Sequence, residues 1–216
     1  MTEPELPTLE ARVAMRHAER RLGEEFPTLE AETVAAVLEA SYHHMDEVSA
    51  VKAHVALLAE RYARGRLWAI VRMEGHRPGV PGVLFLDTHD AGRAKLAKAL
   101  FVAAATRPVE ALSAGTRPDT VLAPTVVTAL EELGLVMPES FPKHYTDEML
   151  RAADVLVTFG EGGDLDLPDG LRHEHWDHPD PRHLTLAETR ELRDVLDDQV
   201  RDLAVRLGVT DAGPAV

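Results

Sequence analysis

Gly82-Val83-Leu84-Phe85-Leu86-Asp87-Thr88-His89-Asp90-Ala91-Gly92-Arg93-Ala94 is the stretch whose reading decides the fold. The apolar run from Val83 to Leu86 reads as a buried strand. It leads into a tight polar turn, and Gly92-Arg93 opens a helix that carries Leu96, Leu100, Phe101 and Ala104.

The same alternation continues downstream. A strand over 109–114 ends in Ser113-Ala114-Gly115-Thr116, and a helix from Pro124 to Leu133 is closed by Gly134. Thr146-Asp147-Glu148 opens a short helix with acids in its first turn, where the helix dipole favours them. Strands are expected over 154–159 and 171–176. The capping box Thr185-x-x-Glu188 starts a last helix through Leu192, Val195, Leu196, Val200, Leu203 and Leu207 to Gly208. Strands alternating with helices of this length predict a four-stranded parallel sheet flanked by helices. Ligands on such sheets bind beyond the carboxyl ends of the strands, where 87–93, 160–166 and 177–180 fall.

Upstream, the chain reads as helix from residue 8 to 73. Thr8 caps a first helix to Leu22, with Gly23 as its stop. Pro27-Thr28 restarts a second, with Val34, Val37, Leu38, Ser41 and Met45 on one face. A third places Val51, Val55, Leu58 and Tyr62 at helical spacing, with Leu67 and Ile70 beyond Gly65. The breaker-rich segment 75–82 separates the two patterns. The expected organisation is a three-helix domain over 1–74, a linker over 75–82, an α/β domain over 83–209 and a frayed tail over 210–216. The apolar stripe of the first helices is expected to pack on the second domain or to pair two chains as a homodimer.

The totals exclude several functions. The 216 residues contain no cysteine, so thiol chemistry is excluded. A formal charge of −14 argues against nucleic acid and anionic membranes, which need clustered Lys and Arg. No apolar run reaches membrane-spanning length, and the acidic start is unlike a secretory signal. The expected location is cytoplasmic.

The loop 87–94 resembles that of the low-molecular-weight protein tyrosine phosphatase family, in its arsenate reductase branch, whose usual form is Cys-Thr-His-Asn-Ala-Gly-Arg-Ser. Asp87 stands where the family has its cysteine, Asp90 replaces Asn and Ala94 replaces Ser. Ser113-Ala114-Gly115-Thr116, Glu132-x-Gly134, Pro142-Lys143, Ala153-Asp154-Val155-Leu156-Val157-Thr158 and Trp176-Asp177-x-Pro179-Asp180-Pro181 follow in the family's order. The helical first third looks like the three-helix domain of some actinobacterial members. The resemblance implies that Thr88, His89, Asp90, Ala91 and Gly92 line an oxyanion cradle, that Arg93 binds the anion and that Asp180 is the general acid. It leaves no nucleophilic thiol at Asp87, and Glu161 and Leu165 occupy the region of the resolving cysteines.

Three readings of the altered loop stay open. In the first, Asp87, Arg93 and Asp180 carry carboxylate chemistry on, or binding of, a small anionic or amine-bearing organic molecule, with His178 and Trp176 beside them. In the second, Asp87 or Asp90 pairs with Arg93 and accepts the loop N–H groups. The protein is then a pseudoenzyme that binds a protein partner or serves a structural role. In the third, Asp87, His89, Asp90 and His178 hold a divalent metal; otherwise no cofactor is expected. Free phosphate should bind poorly, since each carboxylate within ~4 Å of its charge costs about 4 kcal/mol at an effective dielectric of ~20. Lys95 and Lys98 read as a solvated helix face. His173 and His175, two apart on a strand, read as facing solvent on one side. His43, His44 and His54 read as surface or packing residues, and Trp176 as the anchor of its loop.

Overall fold

A computed structural model describes residues 8–48, 52–76, 79–135, 141–160 and 165–211. Val51, Glu161 and most of the expected tail lie outside the described residues, as do Arg77 and Pro78 of the linker. The chain divides into two compact units, Met1–His76 and Arg77–Val216.

The first unit consists of α1 (Leu9–Glu25), α2 (Ala31–Val48) and α3 (Val55–Met73), with a 3-10 turn at Lys52–His54. Thr8 caps α1 by accepting the Ala11 N–H. Gly23 does not stop α1. The helix continues to Glu25, because the Phe26 N–H still reaches the Leu22 carbonyl and the Phe26 ring is buried. Helix α2 starts at Ala31, after a turn through Pro27 and Thr28. Its residues Val34, Val37, Leu38, Ser41 and Met45 are all buried. Helix α3 runs unbroken through Gly65 and buries Val55, Ala59, Tyr62, Ala63 and Leu67. Two of its expected face residues, Leu58 and Ile70, are only half-buried.

The second unit is an α/β fold. Strands β1 (Gly82–Asp87), β2 (Glu110–Gly115), β3 (Val155–Phe159) and β4 (Arg172–Trp176) form one sheet in the order β2-β1-β3-β4. Every pairing is parallel. Helices α4 (Arg93–Ala104), α5 (Pro124–Glu131), α6 (Asp147–Ala152) and α7 (Leu186–Arg206) flank it. Strand β1 is buried at every residue, which explains why its sequence is an unbroken apolar run. Val83, Phe85, Val155, Val157 and Phe159 pack against Leu96, Leu100, Phe101, Val126, Leu192, Leu196, Val200 and Leu203 of the helices. Burial of such side chains contributes roughly 1.5–3 kcal/mol each. The capping box at Thr185 and Glu188 closes in both directions. Among the described residues, no helix is long and apolar enough to cross a membrane.

Candidate functional site: a loop filled by its own carboxylate

Strand β1 ends at Asp87, and the loop 88–92 turns the chain into α4, whose first residue is Arg93. The loop's carbonyls are turned outward. Those of Asp87, Thr88, His89 and Ala91 accept the N–H groups of Thr116, Arg117, Asp119 and Ala123. With its carbonyls committed to the segment after β2, the loop directs its N–H groups inward, towards the start of α4. Asp90 holds the turn in the left-handed region, at φ 47°.

The inward N–H groups find an acceptor within the chain. Asp87 Oδ1 accepts from His89 at 3.0 Å and from Asp90 through a shorter bond. Asp87 Oδ2 accepts from Ala94 at 3.3 Å. The side chain is almost wholly buried. Burial pushes its carboxyl above the usual range and the Asp90 charge adds to this, against the opposing N–H bonds and Arg93. The N–H groups of Gly92 and Arg93 have no partner among the described residues.

Asp90 does not pair with Arg93. Its Oδ2 contacts Lys95 Nζ at 2.9 Å and accepts the Lys143 N–H at 2.9 Å, with Lys143 Nζ at 3.8 Å. Lys95 is 1% exposed and also donates to the Phe141 carbonyl at 2.8 Å. Lys95 is therefore an interior counter-charge and not part of a solvated face, because the first turn of α4 is buried on every side. Burial, with the Lys95 charge, pushes the Lys143 ammonium well below its usual range, and Lys95 Nζ is the nearer of the two ammonium groups to Asp90. Lys98 is half-buried and is brought down to about 8 by burial and by Lys95. Asp90 thus has counter-charges beside it at Lys95 and Lys143, while Asp87 has the loop N–H groups.

Arg93 donates to the His178 carbonyl at 2.9 Å and lies against Gly160. A Cβ on Gly160 would sit 3.0 Å from the guanidinium, and its φ of +64° also favours glycine. Arg93 Nε is buried without a partner among the described residues. Asp180 caps the short turn Pro181–His183 by accepting the Arg182 N–H at 3.0 Å. Its carboxylate also takes the Arg182 guanidinium at 2.8 Å, and Arg182 reaches Asp119 at 3.1 Å. Although burial pushes the other way, the bonds from Arg182 hold the Asp180 carboxyl below its ordinary range. A Cβ on Gly92 would lie 2.5 Å from Pro181, so glycine lets the loop and the Asp180 segment meet.

The other expected residues separate. His178 Nε2 bonds Gln199 at 2.7 Å, and its contribution to the site is its carbonyl. Trp176 packs edge-on to Phe159 and near Phe85, anchoring the end of β4 to the core. Among the described residues, no three His, Asp or Glu side chains converge as a metal site, and Asp87, Asp90 and His178 have the separate side-chain partners given above. His43 and His54 are exposed, and His44 packs against Tyr62. The roles of Lys95, Lys143, Arg182 and Asp119 escaped the sequence reading. The one available signal was Asp180-Pro181-Arg182, which places a donor two residues after a capping carboxylate.

Residues 82–211 match the low molecular weight phosphotyrosine protein phosphatase family. The chain belongs to this family. Residues 12–71 match the protein-tyrosine-phosphatase-like N-terminal domain. The thioredoxin-dependent arsenate reductase of Corynebacterium glutamicum is 30% identical, with a TM-score of 0.76 over 90% of this chain and 96% of its own. An arsenate reductase from Archaeoglobus fulgidus is 27% identical, with a TM-score of 0.50 over 58% of this chain and 98% of its own. A low molecular weight protein tyrosine phosphatase from Bacillus subtilis shares the fold at 22% identity and a TM-score of 0.52, over 59% of this chain and 97% of its own. This chain carries no cysteine, and a carboxylate, Asp87, stands at the end of β1.

Proposed function

We propose that this protein is a thiol-free, non-catalytic member of its family, in which the Asp87 carboxylate occupies the oxyanion cradle as a built-in ligand. The observation that carries this reading is the set of N–H bonds from His89, Asp90 and Ala94 to Asp87. A buried carboxylate in the cradle opposes a second anion, and the family's general-acid position, Asp180, is held ionised by Arg182. The fold then serves as a binding or structural module.

The test is enzymatic and calorimetric. Wild-type protein should neither reduce arsenate with thioredoxin nor hydrolyse p-nitrophenyl phosphate, and phosphate should bind weakly. Asp87→Ser, which removes the charge, should tighten phosphate at least tenfold, since losing one such repulsion is worth about 4 kcal/mol at a dielectric of ~20. Metal-independent turnover by the wild type would overturn the proposal.

A second reading rests on Arg93 Nε, which is buried without a partner among the described residues. Here Arg93 anchors a small organic anion, and Asp87 acts as the base or nucleophile. Turnover of such a ligand that is lost in Asp87→Asn with binding retained, together with loss of binding in Arg93→Lys, would favour this alternative.

A further inference from the structure

Strand β4 is the edge of the sheet, and its two faces are treated differently. Glu174 and Trp176 turn to the helix side, where Glu174 pairs with Arg206 at 2.6 Å and accepts the Trp176 indole N–H. His173 and His175 occupy the opposite side and are exposed. In the parallel register, His173 stands beside Leu156 and His175 beside Thr158. The His173 ring nevertheless leans along the sheet, so that both imidazoles meet one atom. Thr158 Oγ1 lies 2.8 Å from His173 Nε2 and 3.1 Å from His175 Nδ1. Thr158 is 2% exposed and sits in a fully buried strand, so this oxygen is fixed by the core while the two rings are open to solvent.

We propose that His173, His175 and Thr158 form a surface site for a divalent cation of borderline softness, of the class of Zn²⁺ or Ni²⁺. Neutral imidazole nitrogens are the preferred protein donors for these ions. Two residues apart on a strand is the spacing that places both rings on one face. Both nitrogens converge on one oxygen, and small rotations of the exposed rings release them from it and bring both to the ~2.0–2.1 Å that zinc–imidazole bonds require. Thr158 Oγ1 marks the point where the two nitrogens converge, and it gives up both contacts when the rings turn to the cation. Water fills the remaining positions, which makes this an open, exchangeable site. A formal charge of −14 raises the local concentration of cations around it. The site is separate from the loop at Asp87 and does not depend on how that loop is read.

The test titrates the full chain with Zn²⁺ and with Ni²⁺ by calorimetry, and follows the imidazole resonances by NMR. One equivalent should bind, with the His173 and His175 resonances shifting together. His173→Ala and His175→Ala should each weaken binding by at least about tenfold. His43→Ala and His183→Ala, at exposed positions elsewhere, should leave it unchanged. These substitutions touch only exposed side chains, so circular dichroism should match the wild type throughout. No binding to the wild type, or binding that persists in the His173→Ala/His175→Ala double variant, overturns the assignment.

Discussion

Asp87 ends β1 at the start of the loop that leads into α4. It is buried, it accepts three backbone N–H groups, and burial together with Asp90 raises its carboxyl. A folded pKa above the unfolded value means that folding favours the protonated form. The contribution to stability is therefore complete below the unfolded value, ~3.9, and is lost as pH rises through the folded value. Asp87→Asn keeps an oxygen acceptor and removes the charge, so it should raise Tm at pH 8. That gain should shrink as pH falls towards the folded value, and a gain independent of pH would contradict the burial argument. Lys95 acts on the neighbouring carboxylate. Lys95→Met strands Asp90 in the interior and should cost about 3–5 kcal/mol in urea unfolding. Lys95→Met combined with Asp90→Asn should recover most of that loss, because the uncompensated charge is gone; additive losses would argue against the pair.

At the scale of elements, the site is made by ends. Strand β1 delivers Asp87, the first turn of α4 delivers Arg93, and β4 leads to His178 and Asp180. The loop keeps its shape because the segment after β2 takes its carbonyls. Helix α7 covers the sheet and depends on a clean start. Thr185 Oγ1 accepts the Glu188 N–H at 3.3 Å, and Glu188 accepts the Thr185 N–H at 2.8 Å. Thr185→Ala should therefore lower stability by about 0.5–2 kcal/mol in urea denaturation, whereas Thr185→Ser should cost little. Equal losses in the two variants would mean that the hydroxyl is not the stabilising group. These element boundaries were legible because caps, breakers and periodicity are local signals. Gly23 misled for a matching reason: a glycine late in a helix is a weak stop, at a cost of ~1 kcal/mol, and the burial of Phe26 outweighs it.

At the scale of the molecule, the second unit encloses its own core, and its sheet is complete without the first. A fragment of residues 79–211 should fold alone and melt in one cooperative transition, followed by circular dichroism and by Trp176 fluorescence. A non-cooperative melt with exposed Trp176 would show that the first unit is needed to complete that core.

The sequence by itself determined the parallel sheet, the order of its elements, the position of Asp87 at the end of β1 and the loss of thiol chemistry. Each of these follows from the type and spacing of neighbouring residues, which set local backbone geometry. Only the tertiary structure decided how the charges pair. Asp90 meets Lys143 from 53 residues away, Arg93 reaches the His178 carbonyl across 85, and Arg182 takes both Asp180 and Asp119. Lys95 looked solvated because charges on a helix usually face water, and it is buried because the loop and the segment 141–143 close over it. A buried charge must find a partner through space, and that partner is fixed by packing rather than by distance along the chain.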